Sequence, residues 1–209
     1  VEGGSVANGV HGKSTKASRL PRCLTLGGGR SSLLSVKKFA VDMHEPFMTV
    51  IRTECPNADI CIDRFQLAQK VNEAFDKVRK HEFRKAKENN DKFARDMFEP
   101  SRRFILVSRE KDLSQKELTL LEKLRDVNKD IHTAMLLVEY FHRALDKTSV
   151  KSFRKAFVAW NLVVRESKLD PFWTLAKTIR KNRKQIESYI QSGLTTATAE
   201  VLNSKIMTL

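Results

Sequence analysis

Two short apolar runs, "FAVD" at 39–42 and "DICID" at 59–63, flank the segment "EPFMTVIRTE" at 45–54, which carries Pro46 in its first turn. Ile60 and Ile62 alternate as a strand requires, Pro is well placed in the opening turn of a helix, and "CPNA" at 55–58 ends that helix. The pattern predicts β-α-β, with two neighbouring parallel strands joined by a right-handed crossover. The crossover helix should present Phe47, Val50, Ile51 and Glu54 on one face. This unit constrains the fold more than any other feature. A parallel pair is buried on both faces and needs cover from elsewhere in the chain.

Beyond the second strand the chain reads as helix upon helix. The expected segments are 65–97, 114–126, 128–146, 149–167, 171–190 and 196–208, punctuated by Pro100 and Pro171. Leu67, Val71, Ala74, Phe75 and Val78 form a core stripe on the first of these. Ser114 and Glu117 have the S-x-x-E spacing of a capping box. Phe153, Phe157, Trp160 and Val164 recur at helical spacing, which marks a packed face rather than a platform for stacked bases. In the last segment Ala199, Leu202, Ile206 and Leu209 form an apolar stripe, with Glu200 and Asn203 at its margin. The fold class is therefore mostly α with a small parallel α/β portion.

Lys and Arg exceed Asp and Glu to give a net charge of +14, which favours polyanionic partners such as DNA. The charge is unevenly placed. Residues 151–187 hold ten basic side chains against Glu166, Asp170 and Glu187. Within them, Lys177, Arg180, Lys181, Arg183 and Lys184 form a run, "KTIRKNRK", dense enough to follow a phosphate backbone. The alternative is a solvated helix face. Residues 1–38 gather seven of the eight glycines and seven basic residues against one acidic residue, and read as a flexible basic tail. Their "GGGR" lacks the spacing of a phosphate-binding loop. Cys23, Cys55 and Cys61 are odd in number and irregular in spacing, which points to neither a disulfide framework nor a zinc site. No apolar run is long enough to span a bilayer and no secretory signal is read, so a soluble, cytoplasmic protein without membrane contact is expected.

Asp42 and Asp63 fall at the C-terminal ends of the two predicted strands, and Glu200 lies on the late helix. Carboxylates at strand ends face the crevice where α/β sheets bind ligands. Converging carboxylates of this kind can hold Mg²⁺ ions for phosphodiester chemistry. Asp63 also suits the role of helix N-cap before "RFQLAQK".

Three blocks in order carry a resemblance. "AVDMHEPF", "PNADICIDRF" and "TTATAEVLNSKI" resemble the catalytic domain of bacterial insertion-sequence transposases of the ISL-three group, from about Phe39 to the C-terminus. The resemblance implies a DDE-type, ribonuclease H-like fold split by an α-helical insertion. It implies that residues 39–79 form the β-α-β-α core, 80–192 the insertion and 193–209 the helix bearing the last acidic residue. By the same resemblance Asp42 is the second and Glu200 the third acidic residue of the triad, both binding catalytic Mg²⁺. Asp63 belongs to a structural block whose role in metal binding stays open.

Departures from the family pattern shape the expected function. Nothing in residues 1–38 resembles the strand bearing the first acidic residue. Gln66 stands where the family has His, Val201 where it has Gly, and Met207 where it has Lys. The expectation is a transposase fragment truncated at both ends, with DNA as its ancestral substrate, located in a bacterial cytoplasm and inactive alone. The alternative is a non-catalytic helical module that binds DNA, an intact transposase or itself.

Overall fold

The computed structural model describes residues 36–102, 105–106 and 113–193. Among these, residues 36–67 and 182–193 belong to one compact unit, and the described residues of 68–181 to a second. Of the tail expected at 1–38, residues 1–35 lie outside the described residues, whereas Val36 is buried and Lys38 opens the first strand. The helix expected at 196–208, with Glu200, also lies outside them.

The first unit is built around a two-stranded parallel sheet. Strands β1 (Lys38–Val41) and β2 (Asp59–Ile62) are joined by helix α1 (Glu45–Glu54), as the β-α-β pattern requires. The register pairs Phe39 with Ile60, Ala40 with Cys61 and Val41 with Ile62. Phe39, Val41 and Ile60 form a buried cluster with Met48, Ile51 and Cys55. The buried residues of α1 are thus Met48 and Ile51, with Phe47 packed beside them. The helix is turned slightly from the expected face, because Met48 rather than Val50 meets the sheet.

Ala40 and Cys61, one step out of phase with that cluster, point to the opposite face, since side chains alternate along a strand. Both are fully buried. Helix α2 (Arg64–Glu88) leaves β2 directly, and helix α8 (Arg183–Ser192) packs on β2. The Cys61 thiol lies 3.0 Å from the hydroxyl of Ser188, which places α8 on the Ala40–Cys61 face. Small side chains there let the helix approach closely. The predicted need for cover on both faces is met by α1 and α8.

The second unit is helical. Its elements are most of α2, then α3 (Lys92–Met97), a short 3₁₀ turn (Pro100–Arg102), α4 (Gln115–Val127), α5 (Lys129–Leu145), α6 (Val150–Ser167) and α7 (Asp170–Lys181). The helix expected at 65–97 breaks at Asn90, which takes a left-handed backbone (φ 56°) that Asn tolerates better than most residues. Asp91 then caps α3 by accepting from Ala94 N at 3.0 Å. Ser114 and Glu117 form the expected capping box at the start of α4. Asn128 and Ser149 cap α5 and α6 in the same way, each accepting from the backbone three residues on.

Phe153, Phe157, Trp160 and Val164 are all buried, as the stripe predicts. Trp160 is the centre of this core. Its ring lies 5.1 Å from Phe141 and 5.7 Å from Phe157, and its Nε1 donates to the Leu137 carbonyl at 2.9 Å. On α2, Arg79 is almost wholly buried; it pairs with Asp76 at 2.8 Å and donates to the Phe98 carbonyl. Among the described residues the architecture is mostly helical with one small parallel sheet, which agrees with the sequence-based fold class at that level.

Candidate functional site

The last register pair of the sheet, Val41 with Ile62, sets the geometry of the site. Asp42 follows Val41 and Asp63 follows Ile62, so both carboxylates leave the same end of adjacent strands. Such strands run about 4.8 Å apart. The two residues then meet different surroundings. The Asp42 carbonyl accepts from His44 N at 2.7 Å in the tight turn entering α1, and the residue stays partly exposed. Asp63 is only 3% exposed. Its Oδ1 accepts from Phe65 N at 3.3 Å and its carbonyl from Leu67 N at 3.3 Å. Asp63 is therefore the cap of α2, the role its position in sequence suggested.

A carboxylate oxygen is the donor that Mg²⁺ prefers, so Asp42 has the right chemistry for a metal ligand. Among the described residues no group of three or more His, Cys, Asp or Glu side chains could hold a metal ion. Glu200, the other expected ligand, lies outside the described residues.

The basic run is exposed at every candidate position: Lys177, Arg180, Lys181, Arg183 and Lys184. On α7 the buried residues are Phe172, Leu175, Ala176 and Ile179, so Trp173, Lys177 and Arg180 line the opposite, outer side. Lys177 Nζ sits 5.7 Å from the centre of the Trp173 ring. The single helix expected at 171–190 is interrupted at Asn182. This residue is buried, and its carbonyl accepts from Ile186 N to start α8. Lys177, Arg180 and Lys181 thus belong to α7 in the second unit, while Arg183 and Lys184 belong to α8 in the first. On α8, Arg183 Nε lies 3.2 Å from Glu187. Asn182, a residue of modest helix propensity inside a dense run of Lys and Arg, was the available signal for the break.

One residue near the strand ends escaped the sequence reading. Phe65 is 65% exposed in the first turn of α2. The signal was its phase, since it falls off the stripe of Leu67, Val71 and Ala74.

Among the described residues, no helix is long and apolar enough to cross a membrane. A family model described as transposase, of the DDE type and ISL-three group, matches residues 1–209. The match includes residues 1–38, upstream of the blocks that carry the resemblance in sequence. Comparison with curated proteins and with solved structures returned no match.

Proposed function

We propose, from the premise that the chain belongs to the ISL-three family of DDE transposases, that it carries catalytic-domain residues for DNA transposition and is inactive alone. The ancestral reaction is cleavage of a DNA strand and transfer of the freed 3′-hydroxyl to a target, in a bacterial cytoplasm. The proposed fold is ribonuclease H-like and split by an insertion, with 39–79 as the β-α-β-α core and 80–192 as the helical insertion. The observation that carries the reading is the departure of Asp42 and Asp63 from the same end of two paired parallel strands. That is where α/β sheets place ligand-binding carboxylates.

In this reading Asp42 and Glu200 are the catalytic carboxylates and would hold Mg²⁺. The metal, when bound, supplies charge stabilisation on the oxygens of the scissile phosphate and activates the attacking oxygen. Asp63 supports the site instead of ligating, because its carboxylate is buried and committed to the start of α2. Two carboxylates hold Mg²⁺ weakly unless substrate phosphates complete its shell. Inactivity of the isolated chain follows from that shortage of donors.

The test is strand cleavage on supercoiled DNA with Mg²⁺ or Mn²⁺. No nicking is expected, even at high protein concentration. Robust nicking that disappears in both Asp42→Ala and Glu200→Ala would overturn the inactivity and retain the site.

A second reading is favoured by the exposure of Lys177, Arg180, Lys181, Arg183 and Lys184. It makes the chain a non-catalytic module that binds DNA without sequence preference, or that pairs with an intact transposase or with itself. Duplex binding that falls steeply with salt, without cleavage, is the expected signature.

A further inference from the structure

We propose that the outer stripe of α2 in the helical unit, Lys77, Lys80, Arg84 and Lys87, is a track for the phosphate backbone of duplex DNA, separate from the basic run on α7 and α8. The inference rests on the DNA-binding reading above. The four side chains recur at i, i+3, i+7 and i+10, the period of one helix face, and all are exposed. Phe75, Val78, Arg79, Glu82 and Ala86 are buried on the other side. In sequence the segment hides its charge, because Glu73, Asp76, Glu82 and Glu88 partly balance it. The fold commits three of those carboxylates. Glu82 is buried and binds Lys85 and the Asn128 amide, each at 2.7 Å. Asp76 holds the buried Arg79 and Lys80, each at 2.8 Å. Glu73 takes Lys70 at 2.9 Å. Among the described residues Lys77, Arg84 and Lys87 form no ion pair, and Glu88, exposed in the last turn, pairs with none of them.

The stripe works against the helix that carries it. Lys77 and Lys80, Lys80 and Arg84, and Arg84 and Lys87 are like-charged neighbours three or four residues apart, an arrangement that destabilises a helix. Elsewhere on the surface the opposite holds: Arg143 pairs with Glu139, and Arg183 with Glu187, one turn away. The cations of the stripe are nevertheless held in place. Arg84 Nε donates to the Lys80 carbonyl at 3.3 Å, and Lys87 Nζ sits 4.7 Å from the centre of the Phe83 ring. Cations fixed on one line and left without counter-charges suit a stiff, linear polyanion. The ten residues from Lys77 to Lys87 extend about 15 Å. Over that length duplex DNA offers a phosphate about every 1.7 Å of its axis. A membrane surface is the poorer match, because a helix lying on lipid turns its apolar face outward. The apolar face of α2 is buried in the protein.

The experiment measures duplex affinity by fluorescence anisotropy across a salt series, for the full chain and three variants. The first joins Lys77→Gln, Arg84→Gln and Lys87→Gln. The second keeps the charge, with Lys77→Arg, Arg84→Lys and Lys87→Arg. The third joins Lys177→Gln and Arg180→Gln on α7. The Gln triple should flatten the slope of log affinity against log salt by about 2.7, at about 0.9 per contact. Its melting temperature should match or exceed the parent's, since like-charge neighbours are relieved. The charge-keeping triple should retain the parental slope. An unchanged slope in the Gln triple overturns the track, and flattening by the α7 pair in the same series would show that the DNA reading survives. Equal flattening by both triples overturns it as well, because charge would then not be the cause. Loss of binding to phosphatidylserine vesicles by the Gln triple, with its duplex slope unchanged, would assign the stripe to a membrane surface instead. Failure of the parent chain to bind duplex at low salt would remove the DNA reading itself.

Discussion

The thiol of Cys61 and the hydroxyl of Ser188 meet at 3.0 Å, joining β2 to a helix 127 residues further along the chain. Ser192 reaches the same sulfur at 3.7 Å. With Ala40 beside it across the strand pair, Cys61 forms the small-residue floor on which α8 rests. Cys61→Leu should therefore destabilise the chain by about 1–3 kcal/mol, since added methylenes have no room without moving α8. Cys61→Ala should cost about 1 kcal/mol, for a small void and the weak sulfur contacts with Ser188 and Ser192. Urea denaturation reads both as shifts in midpoint at constant slope. A Cys61→Leu chain as stable as the parent would mean that α8 does not pack on this face.

Trp160 separates ring packing from hydrogen bonding in the helical unit. Trp160→Ala removes the contacts with Phe141 and Phe157 and should cost about 3–5 kcal/mol. Trp160→Phe keeps a ring but loses the donor to the Leu137 carbonyl, and should cost about 1 kcal/mol beyond any repacking. Equal losses in the two variants would show that the indole N–H, not the ring, anchors α6 to α5.

Asp76 should make stability depend on acid. Burial alone would raise its pKa, but hydrogen bonds from Lys80 and Arg79 outweigh burial and hold the carboxyl below the ordinary value. A carboxyl depressed in the folded state contributes stability that is complete above its unfolded pKa, about 3.9, and fades as pH falls through the folded value. Asp76→Asn should lower stability at pH 7 by about 2 kcal/mol, because it strips a buried Arg79 of its counter-charge. The gap between variant and parent should shrink as pH drops below about 4. Urea melts from pH 7 to strongly acidic buffer test this, and a gap independent of pH would exclude the ion pair as its source.

The legible part of the fold was written in local spacing. The β-α-β unit, the capping box of Ser114 and Glu117, the cap at Asp63 and the buried stripe from Phe153 to Val164 each depend on residues within a few turns of one another. The breaks at Asn90 and Asn182 were not read, because a long apolar period continues through them and one polar residue barely alters it. The placement of α8 on β2 was beyond reach for another reason. It depends on Cys61 meeting Ser188 across most of the chain, and neither residue signals a partner by its neighbours. At the candidate site the strand-end positions of Asp42 and Asp63 were legible, whereas the burial that sets them apart came only from packing.

That difference gives a direct test of their roles. Asp63→Asn keeps an oxygen for the Phe65 N–H and should be nearly as stable as the parent, while Asp63→Ala should lose about 1 kcal/mol. Asp42→Asn should leave stability within about 0.5 kcal/mol, the range usual for partly exposed positions. It should also remove whatever Mn²⁺-dependent thermal stabilisation the parent shows, with Asp63→Asn retaining it. The opposite pattern would make Asp63 the ligand and Asp42 the structural residue.

The last prediction concerns the basic run, where the break at Asn182 divides residues that look continuous in sequence. Each phosphate contact contributes about 0.9 to the slope of log affinity against log salt on duplex DNA. Lys177 and Arg180 are exposed on α7, so replacing both with Gln should flatten that slope by up to about 1.8 at that value per contact. Arg183 and Lys184 should matter less. Arg183 is already paired with Glu187, and a cation that must give up a carboxylate to reach a phosphate gains little net charge contact. The double Gln variant on α8 should flatten the slope by about 0.9, from Lys184 alone. Affinity measured across a salt series decides between them. A larger change from the α8 pair would move the phosphate-binding surface to the sheet unit, and no change from either set would make the run a solvated face.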